Sequence, residues 1–174
     1  MLDKKQGLAK QTRYNKGMKR SFANGKNDAR RGIDFIGVTC SFVCHDGKGN
    51  FLLHKRSKNC RDEQGRWDNG GGSHEFGAKL EDTVRREIEE EYGTTPSDIK
   101  FIKAYDAHRK LADGTDTHWV AIVYTAKVDS KKAKNNEPYK IDDIGWFRLN
   151  SLPSPLHSQV KHTLESVRKA GIIK

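Results

Sequence analysis

Glu87, Glu90 and Glu91 stand at i, i+3 and i+4, a spacing that can do chemistry. On a helix turning about 100° per residue, all three fall within one sector of the surface. Like charges at i, i+4 repel by a few tenths of a kcal/mol, and a divalent cation would relieve that repulsion. Mg²⁺ takes oxygen ligands, typically one or two carboxylates together with substrate phosphates. The spacing therefore admits a metal platform for a phosphorylated substrate. It equally describes a solvated acidic face flanked by Arg85 and Arg86, and spacing alone favours that plainer reading.

The surrounding stretch, Gly71 to Thr94, reads GGSHEFGAKLEDTVRREIEEEYGT. It resembles the Nudix box: Gly, five residues, Glu, seven residues, Arg-Glu, an apolar residue, any residue, Glu-Glu, any residue, Gly and a further apolar residue. Gly72 matches the first glycine, and Arg86, Glu87, Ile88, Glu90, Glu91 and Gly93 match the second half without a gap. Ala78 stands where the family has its first Glu, and Thr94 replaces the last apolar residue. The resemblance runs from about Phe35 to the final helix.

The resemblance implies hydrolysis of a phosphoanhydride in a nucleoside diphosphate linked to another group, with Mg²⁺ or Mn²⁺ as cofactor. Glu87, Glu90 and Glu91 are the implied metal ligands, with a main-chain carbonyl near Gly71 or Gly72 as a further donor. Glu87 could also orient or deprotonate the attacking water. Glu137 is a candidate for a catalytic carboxylate outside the box, against the plainer reading of an exposed loop acid. Arg86 resembles the family's structural brace. Without a carboxylate at position 78, Arg86 needs another partner, and Asp82 or Glu90 can reach it at i±4. A recruited Glu90 would be a poorer ligand, and Glu75 and Glu81 are near enough in sequence to compensate in part.

Substrate-binding candidates are Gly71, Gly72, Trp67 and His118. Trp67, His74, His108, His118 and Trp119 lie near loops or strand ends where a base could stack or be hydrogen-bonded. For each histidine a surface or packed residue is the plainer reading, and Trp119 and Trp146 read as core or edge aromatics. The box itself does not choose a substrate. The short chain leans towards nucleoside triphosphates by analogy alone. A second reading is a catalytically weakened Nudix domain that binds nucleotide or RNA. A prenyl diphosphate isomerase ranks last, because no cysteine–glutamate pair supports it.

The elements that must position these residues follow from period and punctuation. Phe35–His45 alternates as a strand, 46–50 is a turn, and Phe51–Arg56 returns as the second arm of a hairpin. Trp67 leads into the glycine run 70–72, where the backbone can approach another group closely. Leu80, Val84 and Ile88 mark the buried stripe of a helix over Lys79–Tyr92, closed by Gly93. Strands follow within 98–108, over His118–Val128 and over Ile144–Leu149. His118–Val128 is long and apolar enough to be central. A second helix is expected from Leu156 or His157 to Lys169. The order is that of an α+β domain, and the resemblance implies a mixed sheet between helices.

The net charge is +10 over 174 residues. Residues 1–34 hold ten basic side chains against three acidic, a net of +7, which leaves +3 for the remainder. This divides the chain into a basic, weakly ordered extension (1–34) and a Nudix-like domain (35–174). The extension could attract nucleic acid, or it could be a solubilising tail, the favoured reading. Cys40, Cys44 and Cys60 show no metal-type pairing. The first two share a strand face and read as core, with a site joining Cys60 or His45 a remote alternative. No secretory signal and no bilayer-length apolar run is present, so a reducing, cytoplasmic setting and no membrane contact are expected.

Overall fold

The structure is a computed structural model and describes residues 29–173. The expected extension lies outside the described residues up to position 28. The compact unit begins at Arg31, ahead of Phe35. Gly32 donates its N–H to the Phe35 carbonyl (2.8 Å) and accepts one from His118 (2.7 Å), which ties this turn to the sheet.

Seven strands form one mixed sheet: β1 (Gly37–His45), β2 (Phe51–Arg56), β3 (Trp67–Asp68), β4 (Gly70–Ser73), β5 (Ser97–Lys110), β6 (Asp116–Lys127) and β7 (Ile141–Phe147). Among the described residues two helices, α1 (Leu80–Tyr92) and α2 (Val160–Lys169), accompany the sheet. The main path is β3-β2-β1-β6-β5, with β4 paired to β1 and β7 to β2. β6 is central as its apolar run implies, parallel to β1 and antiparallel to β5.

The expected β1–β2 hairpin is joined at its closed end, where His45 faces Phe51. Asp46 fixes the turn by accepting the N–H groups of Lys48 and Asn50 at 2.7 and 3.1 Å. Beyond it the strands part. The glycine strand β4 takes the edge of β1 from Thr39 to Phe42, and β2 pairs instead with β3 and β7. This places the glycines inside the sheet, beside β1.

Alternation along β1 sorts the core into two layers. Cys40, Phe42 and Cys44 pack with Val84, Ile88 and Tyr92 of α1. Val43, on the opposite face, packs with Val160, Leu164 and Val167 of α2. Cys40 and Cys44 are thus free, buried core thiols. Burial pushes Cys40 up to about 11 and Cys44 well above its ordinary value. Cys60 lies apart in a loop, its thiol 3.2 Å from the Lys140 carbonyl.

α1 ends as expected at Gly93, in the left-handed region at φ 60°. α2 starts later than its periodicity suggests. Trp67 donates to the Pro155 carbonyl and His157 donates to the Trp67 carbonyl, both at 2.8 Å. Residues 155–157 are held against β3 and cannot join the helix. No described helix is long and apolar enough to cross a membrane.

Candidate active site

α1 buries Val84 and Ile88 completely, and Glu91 lies beside them at 6% exposure. Only a side-chain-free surface lets the acids come so near the sheet. A Cβ on Gly72 would sit 1.9 Å from the Glu87 carboxyl carbon, and one on Gly70 would sit 2.7 Å from Glu91 Oε2. The glycines therefore serve close approach rather than a positive φ. The loop after β6 brings the fourth acid. Asn136 donates its backbone N–H to the Glu91 carbonyl and its amide to the Glu89 and Glu90 carbonyls, capping α1. Glu137 follows directly, paired with Lys140 at 2.7 Å.

Gly71, Gly72, Glu87, Glu90, Glu91 and Glu137 line one cavity of about 440 Å³. Within it the carboxylates differ sharply. Glu91 accepts a long 3.4 Å hydrogen bond from Gly71 N–H at Oε1. Its buried Oε2 has no hydrogen-bond partner among the described residues. Burial first, then the Glu87 charge, holds the Glu91 carboxyl well above the usual carboxylate range. Burial also raises Glu87, against the pull of Arg86. Glu90 is half exposed.

Arg86, expected as a brace, is paired along its own helix. Its guanidinium lies 2.6 Å from Glu87 Oε1 and 3.0 Å from Glu90 Oε2. Ala78 offers it no carboxylate, and the two acids within reach on its own helix take that place. Glu75 is engaged elsewhere, with both its oxygens 3.0 Å from Arg31. With Arg86 drawing two acids aside, no three His, Cys, Asp or Glu groups among the described residues converge on one point. The residues nevertheless fit a hard cation. The donors are all oxygen, and an enclosed carboxylate oxygen without a partner lacks the positive charge that would make its burial tolerable.

The NUDIX domain profile matches residues 36–167. The chain belongs to the NUDIX domain family. A MutT NUDIX hydrolase from Burkholderia pseudomallei is 34% identical, with a TM-score of 0.67 over 76% of this chain and 98% of that one. The nucleoside triphosphatase NudI of Escherichia fergusonii is 28% identical over 66% of this chain and 83% of its own length. The NUDIX domain of Shewanella oneidensis NrtR, solved with ADP ribose, shares the fold at 22% identity and a TM-score of 0.63, covering 87% of this chain and 96% of that one. The chain is thus a Nudix hydrolase, of the class that acts on phosphoanhydride bonds.

Two of the Nudix chain's expected substrate contacts lie elsewhere. Trp67 packs edge-on against Phe147, with centroids 5.1 Å apart, and lines neither the carboxylate cavity nor its neighbour. His118 also lies outside both cavities, stacked 4.2 Å from His108 and bonded to Asp106 at 2.9 Å. His74 is structural, joined to Thr83 of α1 at 2.9 Å. Trp146 packs against the α1 layer as a core aromatic. Trp119 is buried in a small core cluster, as read, and also lines a second cavity of about 270 Å³ that shares Gly71, Gly72 and Glu91 with the first.

Sequence reasoning missed the polar wall of this second cavity. Arg56 pairs with Asp62 at 2.8 Å and Asp68 at 3.0 Å, and Arg109 pairs with Asp62 at 3.1 Å and Glu63 at 3.3 Å. Ser158 donates its N–H and hydroxyl to Glu63. These bonds hold the 57–66 loop in place. The partners are mostly dozens of residues apart, so no local pattern announced them.

His54, also missed, is buried between the cavities, 2.8 Å from the Tyr92 hydroxyl and 3.9 Å from Glu91 Oε2. Burial pushes His54 down to about 4, and it lowers His45 and His157 as well. A histidine lowered on folding is bound neutral, so its contribution is complete above about pH 6.5 and is lost as pH falls towards 4. His54 alone accounts for up to about 3 kcal/mol of that loss. The raised Glu87 and Glu91 act in the opposite sense. In thermal melts from pH 7.5 to 4.5, His54→Gln should lose less stability on acidification than the parent.

Proposed function

We propose that this Nudix chain hydrolyses a phosphoanhydride in a nucleoside diphosphate linked to another group, with nucleoside triphosphates favoured, and that it requires Mg²⁺ or Mn²⁺. The single observation that carries the reading is Glu91: a buried carboxylate with an unpartnered oxygen, in a cavity shared with Glu87, Glu90 and Glu137. Glu91 would hold the ion, joined by Glu87 and Glu90 once Arg86 releases them, with a backbone carbonyl of the glycine strand adding a donor. When bound, such an ion neutralises phosphate oxygens and lowers the pKa of a water. The chain's own residues do the rest. The glycine strand lets Glu87 and Glu91 lie close against the sheet, and α1 fixes the acids more firmly than a loop could. Glu137, on the wall of the same cavity, would orient or deprotonate the attacking water. The lean towards triphosphates draws on the NudI relative, whose name records that activity.

A phosphate-release panel over nucleoside triphosphates, nucleotide sugars and dinucleotides, with Mg²⁺, Mn²⁺ or chelator, tests this. Release with one ion and none with chelator supports it. Inertness throughout, with nucleotide or RNA still bound, favours the second reading of a weakened binding module. That alternative draws on Arg86, which occupies two of the three acids. In the same assay, Ala78→Glu should give Arg86 a separate partner, release Glu87 and Glu90, and lower the Mn²⁺ concentration for half-maximal rate by about tenfold. An unchanged Mn²⁺ requirement would mean that Arg86 does not compete with the ion.

A further inference from the structure

Trp119 lines the second cavity with unusually small neighbours. It is only 8% exposed, yet the cluster around it consists of Ala107, Ala121 and part of Tyr105. Its cross-strand neighbours are Gly37 on β1 and Ala107 on β5, the two smallest side chains available. The indole lies on backbone: a Cβ on Gly37 would come within 2.4 Å of its six-membered ring, and one on Gly32 within 2.0 Å of Nε1. A core tryptophan is surrounded by large apolar side chains. This one is propped from behind by glycine and bordered by alanine, and its approach from the cleft is covered by Arg61.

The Arg61 guanidinium carbon stands 5.5 Å from the Trp119 ring centroid. Stacked aromatic partners sit about 4.5–7 Å apart, so the guanidinium occupies the position a nucleobase would take. The gap is too small for a base to slip between the two. Arg61 is loosely held. Its side chain is about half exposed, and its one ion pair among the described residues, to Asp62, is 3.3 Å long. The loop beneath is fixed by Arg56 and Arg109, so the side chain can move while its anchor stays. Arg61 also lines both the Trp119 cavity and the carboxylate cavity.

We infer that Trp119 is the stacking platform for the substrate's base, and that Arg61 covers it in the free protein and turns to the substrate phosphates when the base displaces it. This rests on the proposed function for the phosphates but not for the base. The platform has a π-face and no nearby set of base-edge readers is required, so it selects for a nucleotide over a bare polyphosphate rather than for one base over another.

Two readouts test it. The ratio of kcat/KM for a nucleoside triphosphate to that for inorganic tripolyphosphate should fall about tenfold in Trp119→Leu and less than threefold in Trp119→Phe, which keeps a ring. Separately, guanosine monophosphate added without metal should quench the tryptophan emission of the parent and not that of Trp119→Phe, in which Trp67 and Trp146 remain. Arg61→Ala should retain quenching by uncharged guanosine while raising KM for the triphosphate. An unchanged selectivity ratio in Trp119→Leu, or quenching that persists in Trp119→Phe, overturns the assignment and leaves the hydrolase reading intact. If no phosphoanhydride is cleaved but quenching still depends on Trp119, the platform stands and the hydrolase reading fails.

Discussion

Glu91→Gln should make the metal-free protein more stable while nearly abolishing its hydrolysis. The amide has the carboxylate's shape and still accepts from Gly71 N–H, but it removes a buried charge whose second oxygen has no partner. The amide NH₂ is left as unpartnered as the oxygen it replaces, so the gain is that of removing the buried charge alone, roughly 1–3 kcal/mol. That corresponds to a rise in melting temperature of about 2–12 °C at pH 7.5. The pH dependence gives the effect a signature. The Glu91 carboxyl is held well above the usual range, so its protonated form stabilises the fold below the ordinary glutamate range, and that stability is lost as pH rises through the raised value. The advantage of Gln should therefore be largest near pH 8 and shrink towards pH 5. Mn²⁺ should raise the melting temperature of the parent and not of the variant. Hydrolysis should fall about 10²–10³-fold. A variant that melts below its parent at pH 8 without metal would contradict this description of Glu91.

Gly72→Ala should separate the site from the fold. The new methyl would lie within 1.9–2.3 Å of the Glu87 carboxylate. That carboxylate is the far end of a flexible side chain, so it moves away and the backbone pairing of Gly72 with Cys40 persists. Hydrolysis should drop about 100-fold, with melting changed by only a few degrees. Gly77→Ala is the useful control. Gly77 sits at φ 82° with nothing within 4 Å of a Cβ, so alanine there costs about 1 kcal/mol of backbone strain and touches no acid. Equal losses of activity in the two variants would mean that strain near α1, rather than contact with Glu87, governs the site.

The parts of this fold legible in the sequence are those set by local period. The Leu80–Val84–Ile88 stripe, the Gly93 cap and the apolar run of β6 each follow from residues within a few turns or rungs. So does the shared core face of Cys40 and Cys44. The clustering of Glu87, Glu90 and Glu91 on one flank was legible for the same reason, as was the reach of Arg86 to Glu90. The unequal fates of the three acids were not. Whether a helical glutamate is solvated or buried depends on the strand across from it, and β4 packs against α1 only because β1 leaves β2 after the turn. The tryptophans make the same point in reverse. Trp67 beside the glycine run suggested a site, but Phe147 claims its ring. Trp119 read both as a core or edge aromatic and as a place where a base could stack; it is buried, and the glycine and alanine beside it on the neighbouring strands also set it on the wall of the cleft. Partners across a sheet are fixed by register, which no window of a single strand contains.

The most direct measurement is a Mn²⁺ titration followed by electron paramagnetic resonance, on the parent and on Glu91→Gln, without nucleotide and then with a nonhydrolysable triphosphate. The carboxylate cavity predicts that the parent depletes the free Mn²⁺ signal, more strongly once the triphosphate is present, and that the glutamine variant does not. Depletion of the signal to the same extent in both proteins would place the ion elsewhere and remove the basis for a catalytic role of these glutamates.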